Sequence, residues 1–191
     1  MSMCQQSIIF PMISPDIQAY FDREEFDKDG YHTLDRRDEK IRHIQLHVAK
    51  AALKLVQGEI VIIKTAVIPD TSVYRSQLIN VIGVDNIPNL PGQFIDEPPV
   101  LPEDDMEAEQ WCLEAIVKAG GELATYLERR EHGAAGDERS ILRAAMCLHA
   151  GSLGLAALYD VDADEAHLDR LEYNLGRPLP PELFQEIAEQ N

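Results

Sequence analysis

Apolar residues recur every three to four positions along most of the chain, which is the spacing of one face of an α-helix. Between Asp38 and Gly58 this repeat has five members: Ile41, Ile44, Val48, Ala52 and Leu55. The same criterion, together with prolines and glycines at the segment ends, predicts helices at 14–29, 38–57, 69–82, 104–131, 138–159 and 163–175, with a short one at 182–189. The pattern therefore predicts an all-α protein built as a helical bundle.

The hydrophobic pattern also indicates how these helices pack. Residues 138–159 are apolar almost all round, which predicts a helix at the centre of the bundle. The predicted core face of the helix at 104–131 consists of Leu113, Ile116, Val117, Gly120, Ala124 and Leu127. Residues 59–68 (EIVIIKTAVI) are rich in β-branched side chains and fit either a short strand or a continued helix, because periodicity alone does not separate the two.

A proline-rich stretch divides the chain. Residues 84–103 contain five prolines and read as an extended linker or wrapping segment. The predicted organisation is an N-terminal helix and loop (1–37), a first helix pair (38–83), the linker (84–103), and a second helix pair with acidic C-terminal helices (104–191). We expect these parts to form one compact domain.

The two helix pairs can be superposed as a possible internal duplication. Ala49-Lys50-Ala51 aligns with Val117-Lys118-Ala119, and Leu55 then aligns with Leu123. In the second helix of each pair, Leu78 aligns with Leu155 and Val81–Asp85 aligns with Leu158–Asp162. Each copy thus has a helix, a connector and a second helix that is followed by Val-Asp. Two unrelated amphipathic helices also share some apolar positions, however.

The strongly negative net charge limits the kinds of molecule that this chain can bind. The formal net charge is -17, with 14 acidic and 10 basic residues in 1–100 but 20 acidic and 7 basic residues in 101–191. Direct binding of nucleic acid is not expected, because neutralising phosphates needs Lys and Arg. The acidic half could hold divalent cations, imitate a nucleic acid toward a basic protein partner, or serve only as a solubilising surface.

The composition predicts a cytoplasmic protein. No stretch approaches the roughly 20 apolar residues of a membrane span, and the N-terminus lacks the basic residues of a signal peptide. Cys4, Cys112 and Cys147 are odd in number and scattered, as expected for reduced thiols.

Several short motifs resemble those of the MazG-like all-α nucleotide pyrophosphohydrolases. Residues Ile68–Asp85 (IPDTSVYRSQLINVIGVD) resemble the second helix of that unit, with Asp70 on the aspartate of its Glu-x-x-Asp motif. Gly121-Glu122-Leu123 resembles the segment of the first helix that carries Glu-x-x-Glu, with Glu122 on the second glutamate. LDRLEYNLGR (168–177) resembles the trailing Lys-x-x-x-Asn-x-x-Arg element through Arg170, Asn174 and Arg177.

The resemblance implies a MazG-like bundle in which helix-borne carboxylates hold Mg²⁺ and a nucleoside triphosphate is hydrolysed at its α–β phosphate link. Carried over residue by residue, it makes Asp70 and Glu122 the catalytic and metal-binding residues, and Asn174 and Arg177 substrate-binding residues. The chain departs from the motifs at the other six carboxylate positions, which are Ala51, Lys54, Val67, Ala119, Ala144 and Cys147.

Each candidate residue also has a simpler interpretation. Asp70 falls within an apolar stripe, where an acid needs a metal or a hydrogen bond, but it also follows Pro69 at the favourable positive end of a helix. Helical-wheel geometry places Glu122 away from the apolar face, as a solvated glutamate would be. His43, His47, Lys50 and Lys54 form a stripe that could bind phosphate or be an ordinary polar flank; the two histidines could also serve as metal ligands.

Two functions follow as hypotheses. The first is a nucleotide-binding or phosphate-compound-binding protein of the MazG-like class, which would be a magnesium-dependent pyrophosphohydrolase if it is active. The alternative is a non-catalytic interaction or regulatory protein, including an acidic nucleic-acid mimic. A homodimer and a basic protein partner are the protein partners compatible with the sequence.

Overall fold

The structure is a computed structural model that describes residues 34–82, 100–135 and 137–182, together with Tyr20. Its main elements are α1 (Leu34–Gln57), α2 (Ile68–Ile82), α3 (Asp105–Glu131), α4 (Glu138–Leu158) and α5 (Ala163–Leu175). Helical residues Ile60–Ile62 and a π-helical turn, Ile63–Val67, lead into α2. The described residues contain no strand, so the all-α prediction is confirmed. Residues 60–67 are helical and run into α2, and Gly58 (φ 69°) and the extended Glu59 separate them from α1.

Three helices begin at residues that cap them. Asp104, Asp137 and Asp162 each lie in extended backbone just before α3, α4 and α5. Asp104 and Asp162 each accept two hydrogen bonds from N–H groups of the first helical turn, and Asp137 accepts one from Arg139. These bonds satisfy donors that have no partner inside the helix. Gly176, at a φ of 65°, ends α5 in the left-handed conformation that glycine adopts without cost. The predicted helices at 14–29 and 182–189 and most of the 84–103 linker lie outside the described residues.

Four of the helices form a bundle, and the fifth covers one side. α3 and α4 pack as neighbours, α1 packs beside α3, and α2 packs beside α4 and α1. α5 lies on α2. The core is a continuous cluster of side chains drawn from all four bundle helices, including Ile44, Leu78, Ile116 and Leu148.

The most completely buried stretch belongs to α2, whereas the sequence pattern predicted that the helix at 138–159 would lie at the centre of the bundle. Every residue from Ile68 to Leu78 is buried, and six of these eleven carry polar or charged side chains. α4 is also largely buried, but Met146 is 39% exposed. Contrary to the expectation that no stretch approaches a membrane span, α4 is long and apolar enough to cross a membrane by length and composition, although 61% of its apolar window is buried inside the bundle.

The predicted core face of α3 is partly wrong. Ile116 and Leu127 are buried as expected, but Val117 is 56% exposed and Ala124 is exposed. The buried face instead consists of Ala108, Cys112, Ile116, Ala119, Leu123, Tyr126 and Leu127. Small and medium-sized apolar residues occur on two faces of this helix, so its apolar positions alone did not show which face is buried.

The π-helical turn before α2 is explained by Pro69. Proline has no N–H to donate, and its ring crowds the carbonyl four residues earlier, so a regular α-helix is disfavoured there. The backbone widens instead, with the N–H of Ile68 donating to the carbonyl of Ile63. The Thr71 hydroxyl then donates to the carbonyls of Val67 (2.8 Å) and Ile68 (3.0 Å). Pro69 therefore lies within a continuing helix.

The burial pattern agrees with the proposed repeat. Ala51 and Ala119 are buried, as are Leu55 and Leu123, while Lys54 and Glu122 are half-buried. In the second helices Val67 and its counterpart Ala144 are both buried. Aligned positions thus occupy similar environments in the two helix pairs.

Gly151 sets the distance between α3 and α4. A Cβ at this position would lie 2.9 Å from Ile116 Cγ1 and 3.3 Å from the Cys112 carbonyl oxygen. We expect Gly151→Ala to lower the free energy of unfolding by about 1–2 kcal/mol, because the clash outweighs alanine's better helix propensity of roughly 1 kcal/mol.

Urea denaturation measures this effect, with Gly120→Ala as the matched control. A Cβ at Gly120 would make only an ordinary 3.7 Å contact with Val48. The control should therefore be neutral or stabilising, and equal effects from the two substitutions would contradict this account of the helix contact.

Candidate functional site

Asp70 lies in the first turn of α2 and is buried, with 5% of its surface exposed. Both carboxylate oxygens have basic partners. Arg170 Nη2 of α5 lies 2.6 Å from one oxygen, and Lys54 Nζ of α1 lies 3.5 Å from the other. The Asp70 charge is therefore compensated by two cations that come from helices on either side of α2.

Asp70 borders a group of cationic and imidazole side chains that we call the basic edge: His43, His47, Lys50 and Lys54 of α1, with Arg170 of α5. The α1 members fall at helical spacing, so they share one side of that helix. The His43 and His47 ring centroids are 4.5 Å apart, and that of His47 is 5.0 Å from the ring of Tyr74. The structure brings the four α1 side chains of the predicted stripe together, and Arg170 of α5 joins them.

The basic edge holds its histidines in the neutral form at pH 7. Burial, reinforced by His47, Lys40 and Lys50, lowers the pKa of His43 to about 4. Burial also lowers the pKa of His47, and the charges of Lys50, Arg170 and Lys54 lower it further. Each neutral imidazole can accept a proton when an anion binds beside it, because a nearby negative charge favours the protonated form.

A cavity of about 700 Å³ adjoins the basic edge. Arg170 lines it, and its guanidinium carbon lies 5.2 Å from the centre of the Tyr173 ring. The remaining lining residues are Lys64, Thr65, Pro69, Asp160, Val161, Asp162, Glu165, Ala166 and Asp169. Arg170 thus connects three features, since it pairs with Asp70, acts on His47 and forms part of the cavity wall.

Glu122 does not join this site. It lies on α3, on the opposite side of the bundle from α2, and pairs with Arg143 of α4 at 2.9 Å. Its side chain is 19% exposed, so the expectation of a freely solvated glutamate is wrong. The ion pair with Arg143 holds the Glu122 side chain against the protein and explains its low exposure.

The donor set does not fit the magnesium that the family resemblance implies. Mg²⁺ takes oxygen ligands, usually carboxylates that have no competing cation. Here Asp70 and Glu122 belong to separate ion pairs, and no group of three His, Cys, Asp or Glu side chains among the described residues could hold a metal ion.

Two other predicted binding residues lie farther along the chain. Asn174 is half-buried on α5, one turn after Arg170. Arg177 follows the end of α5 and donates to the Tyr20 hydroxyl at 2.8 Å. Of the three residues that resemble the trailing element, only Arg170 contacts Asp70. Its position in that element was the signal in the sequence that could have identified it.

A second polar cluster was not predicted. Arg75 of α2 is buried and donates to His149 Nδ1 of α4 at 2.8 Å, while Ser72 Oγ lies 2.8 Å from His167 Nδ1 of α5. Burial lowers the pKa of Arg75 to about 10, although Asp164 raises it. Burial, followed by Asp162, raises the pKa of Asp164 to about 6. The cluster crosslinks three helices inside the protein and has little contact with solvent.

No protein-family model, no curated protein and no solved structure matches this chain.

Proposed function

We propose that this protein binds a phosphorylated compound at the basic edge, as a non-catalytic member of the MazG-like class that its motifs resemble. The observation that carries the proposal is the local charge. Within the basic edge, Lys50, Lys54 and Arg170 provide three positive charges against the single negative charge of Asp70, in a chain whose net charge is -17. The acidic side chains that line the neighbouring cavity, Asp160, Asp162, Glu165 and Asp169, lie outside this group. Phosphate oxygens are well suited to such a group of cationic donors.

The form of the site supports binding of a compound larger than phosphate alone. The cavity beside Arg170 has room for a further part of the ligand, and its carboxylates and the Thr65 hydroxyl could accept or donate hydrogen bonds to sugar or base groups. A nucleotide combines these features. Tyr74, in ring contact with His47, supports one wall of the phosphate-binding part.

The loss of carboxylates from the motif positions favours binding without hydrolysis. Pyrophosphate hydrolysis of the MazG type needs several carboxylates around Mg²⁺, and the corresponding positions here hold alanine, valine, lysine and cysteine. Lys54 occupies one such position and pairs with Asp70. The two helix pairs have therefore kept the scaffold while the chemistry of the site has changed from acidic to basic.

Lys50→Ala should weaken binding of pyrophosphate and ATP about 10-fold, because it removes one charge-assisted contact from the basic edge. Isothermal titration calorimetry at pH 7 in low salt measures this effect. Lys118→Ala is the matched control, since Lys118 is the exposed α3 residue aligned with Lys50 in the repeat. It should bind with wild-type affinity.

The same titrations distinguish the alternatives. The absence of saturable binding by phosphate, pyrophosphate and ATP, with and without Mg²⁺, would overturn the proposed function. Release of pyrophosphate from a nucleoside triphosphate in the presence of Mg²⁺ would instead show that the protein is an enzyme.

A further inference from the structure

The cavity beside the basic edge has a wall of the opposite charge. Two cations line it, Lys64 and Arg170, together with four carboxylates, those of Asp160, Asp162, Glu165 and Asp169. The charge of Arg170 is already compensated by Asp70 at 2.6 Å. The cavity lining therefore has an excess of negative charge, whereas the adjoining basic edge has an excess of positive charge.

Three of the lining residues form a stripe along α5. Glu165, Asp169 and Tyr173 are spaced four residues apart, so their side chains share one face of that helix. Glu165 lies in the first turn, where the helix dipole favours an acid, but Asp169 lies one turn later. There it gains no such benefit, and the like charge of Glu165 opposes it. The stability of α5 therefore does not explain the presence of Asp169.

The four carboxylates of the lining are exposed at the cavity and form no ion pair within the described part of the chain. Asp70 and Glu122, in contrast, each have an arginine partner. Because the mutual repulsion of the four carboxylates falls when a cation lies among them, the cavity favours a positively charged group of a ligand. A metal ion is not favoured, since no group of three His, Cys, Asp or Glu side chains in the described ranges could hold one.

Tyr173 adds an aromatic surface to the same wall. Its side chain is 76% exposed, although it is large and mostly apolar, and it follows Asp169 by one turn. Aromatic faces attract ammonium and guanidinium groups, and the Arg170 guanidinium carbon already lies 5.2 Å from the centre of this ring. An exposed aromatic ring beside carboxylates suits an organic cation, and the cavity volume of about 700 Å³ has room for one.

We propose that the phosphorylated ligand of the basic edge also carries a protonated amine, and that this amine binds in the cavity against Glu165 and Asp169. The inference rests on the proposed function, because the basic edge holds the phosphate end of the ligand. Arg170 lies at the boundary between the two parts, since it pairs with Asp70 and also lines the cavity. The ligand class is therefore an aminoalkyl phosphate or diphosphate, whose two ends match the two charges of the site.

Isothermal titration calorimetry of the full chain at pH 7 in low salt tests the proposal. The ligands are aminoethyl and aminopentyl diphosphate, each compared with the alkyl diphosphate of the same chain length. The wild type should bind the amine of at least one pair about 5-fold more tightly, as expected for two partly exposed charge pairs. Glu165→Gln/Asp169→Asn should abolish this preference and bind the alkyl diphosphates at least as tightly as the wild type does.

Glu114→Gln/Glu128→Gln is the matched control, since it changes the net charge equally at exposed residues of α3 and should keep the amine preference. Equal affinities within both ligand pairs in the wild type would overturn this inference and leave the proposed function intact. The absence of binding by all four ligands would overturn both. An amine preference that persists in Glu165→Gln/Asp169→Asn would show that the amine binds outside the cavity, and would overturn the inference as well.

Discussion

Arg170→Met is expected to lower the free energy of unfolding by about 3 kcal/mol, a large effect for one ion pair. Asp70 is almost fully buried, and its bond to Arg170 is 2.6 Å, whereas Lys54 stands at 3.5 Å and its side chain is 37% exposed. Removing Arg170 leaves a buried carboxylate with one distant partner. Methionine retains most of the volume of the arginine stem, so loss of packing adds little.

Substitution of the other partner, Asp70, should lower the free energy of unfolding much less. Asp70→Asn leaves Arg170 and Lys54 with partly exposed side chains that water can solvate, and we expect a loss of about 1 kcal/mol. The double variant Asp70→Asn/Arg170→Met should be more stable than Arg170→Met alone. Urea denaturation at pH 7 measures all three variants, and an Asp70→Asn variant less stable than Arg170→Met would show that Arg170 does not hold the buried charge.

Acidification from pH 7 to pH 4.5 is expected to destabilise the protein by about 3 kcal/mol through its buried histidines. Burial lowers the pKa of His149 to about 4 and that of His167 well below the ordinary value of 6.5, and Arg75 lowers both further. The unfolded chain therefore binds protons below pH 6.5 that the folded chain does not. The stabilisation is complete above pH 6.5 and is lost as the pH falls toward 4.

Asp164 acts in the opposite direction in the same cluster. Its folded-state pKa of about 6 lies above the ordinary 3.8, so its contribution favours the folded state as the pH falls through 6. It offsets only part of the loss, because one partly exposed carboxyl opposes two buried imidazoles.

Thermal denaturation between pH 7.5 and 4.5 measures the balance. His149→Gln should make the pH dependence shallower, and Asp164→Asn should make it steeper. A melting temperature that rises on acidification would contradict the assignment of neutral, buried histidines.

The helices were predictable from local sequence because their signals are local. Asp104, Asp137 and Asp162 cap α3, α4 and α5 at the positions where acidic residues precede apolar repeats, and the predicted ends of these helices agree with the structure within about a residue. α1 starts four residues before the predicted Asp38, at Leu34. Residues 59–68 were ambiguous because β-branched residues lower helix propensity, and only tertiary packing decides their conformation.

The site was predictable only in part, because its contacts join distant segments. The spacing of His43, His47, Lys50 and Lys54 correctly placed them on one side of α1, and the apolar stripe around Asp70 correctly indicated burial. The partner that explains this burial, Arg170, is 100 positions away, and although its place in the motif at 168–177 marked it as a candidate, no local pattern showed that it pairs with Asp70. For the same reason the pattern could not show that Arg143 pairs with Glu122, or that Arg75 and His149 meet inside the bundle.

The π-helical turn at Ile63–Val67 changes how this chain must be aligned with other helical proteins. A π turn holds one more residue than the α turn that it replaces, so every residue after it is displaced by one position relative to an uninterrupted helix. A relative without the widened turn would place the equivalent of Asp70 one number earlier, and a residue-by-residue alignment across Pro69 would pair the wrong side chains. Comparisons with other helical bundles should therefore allow a single-residue gap at this turn.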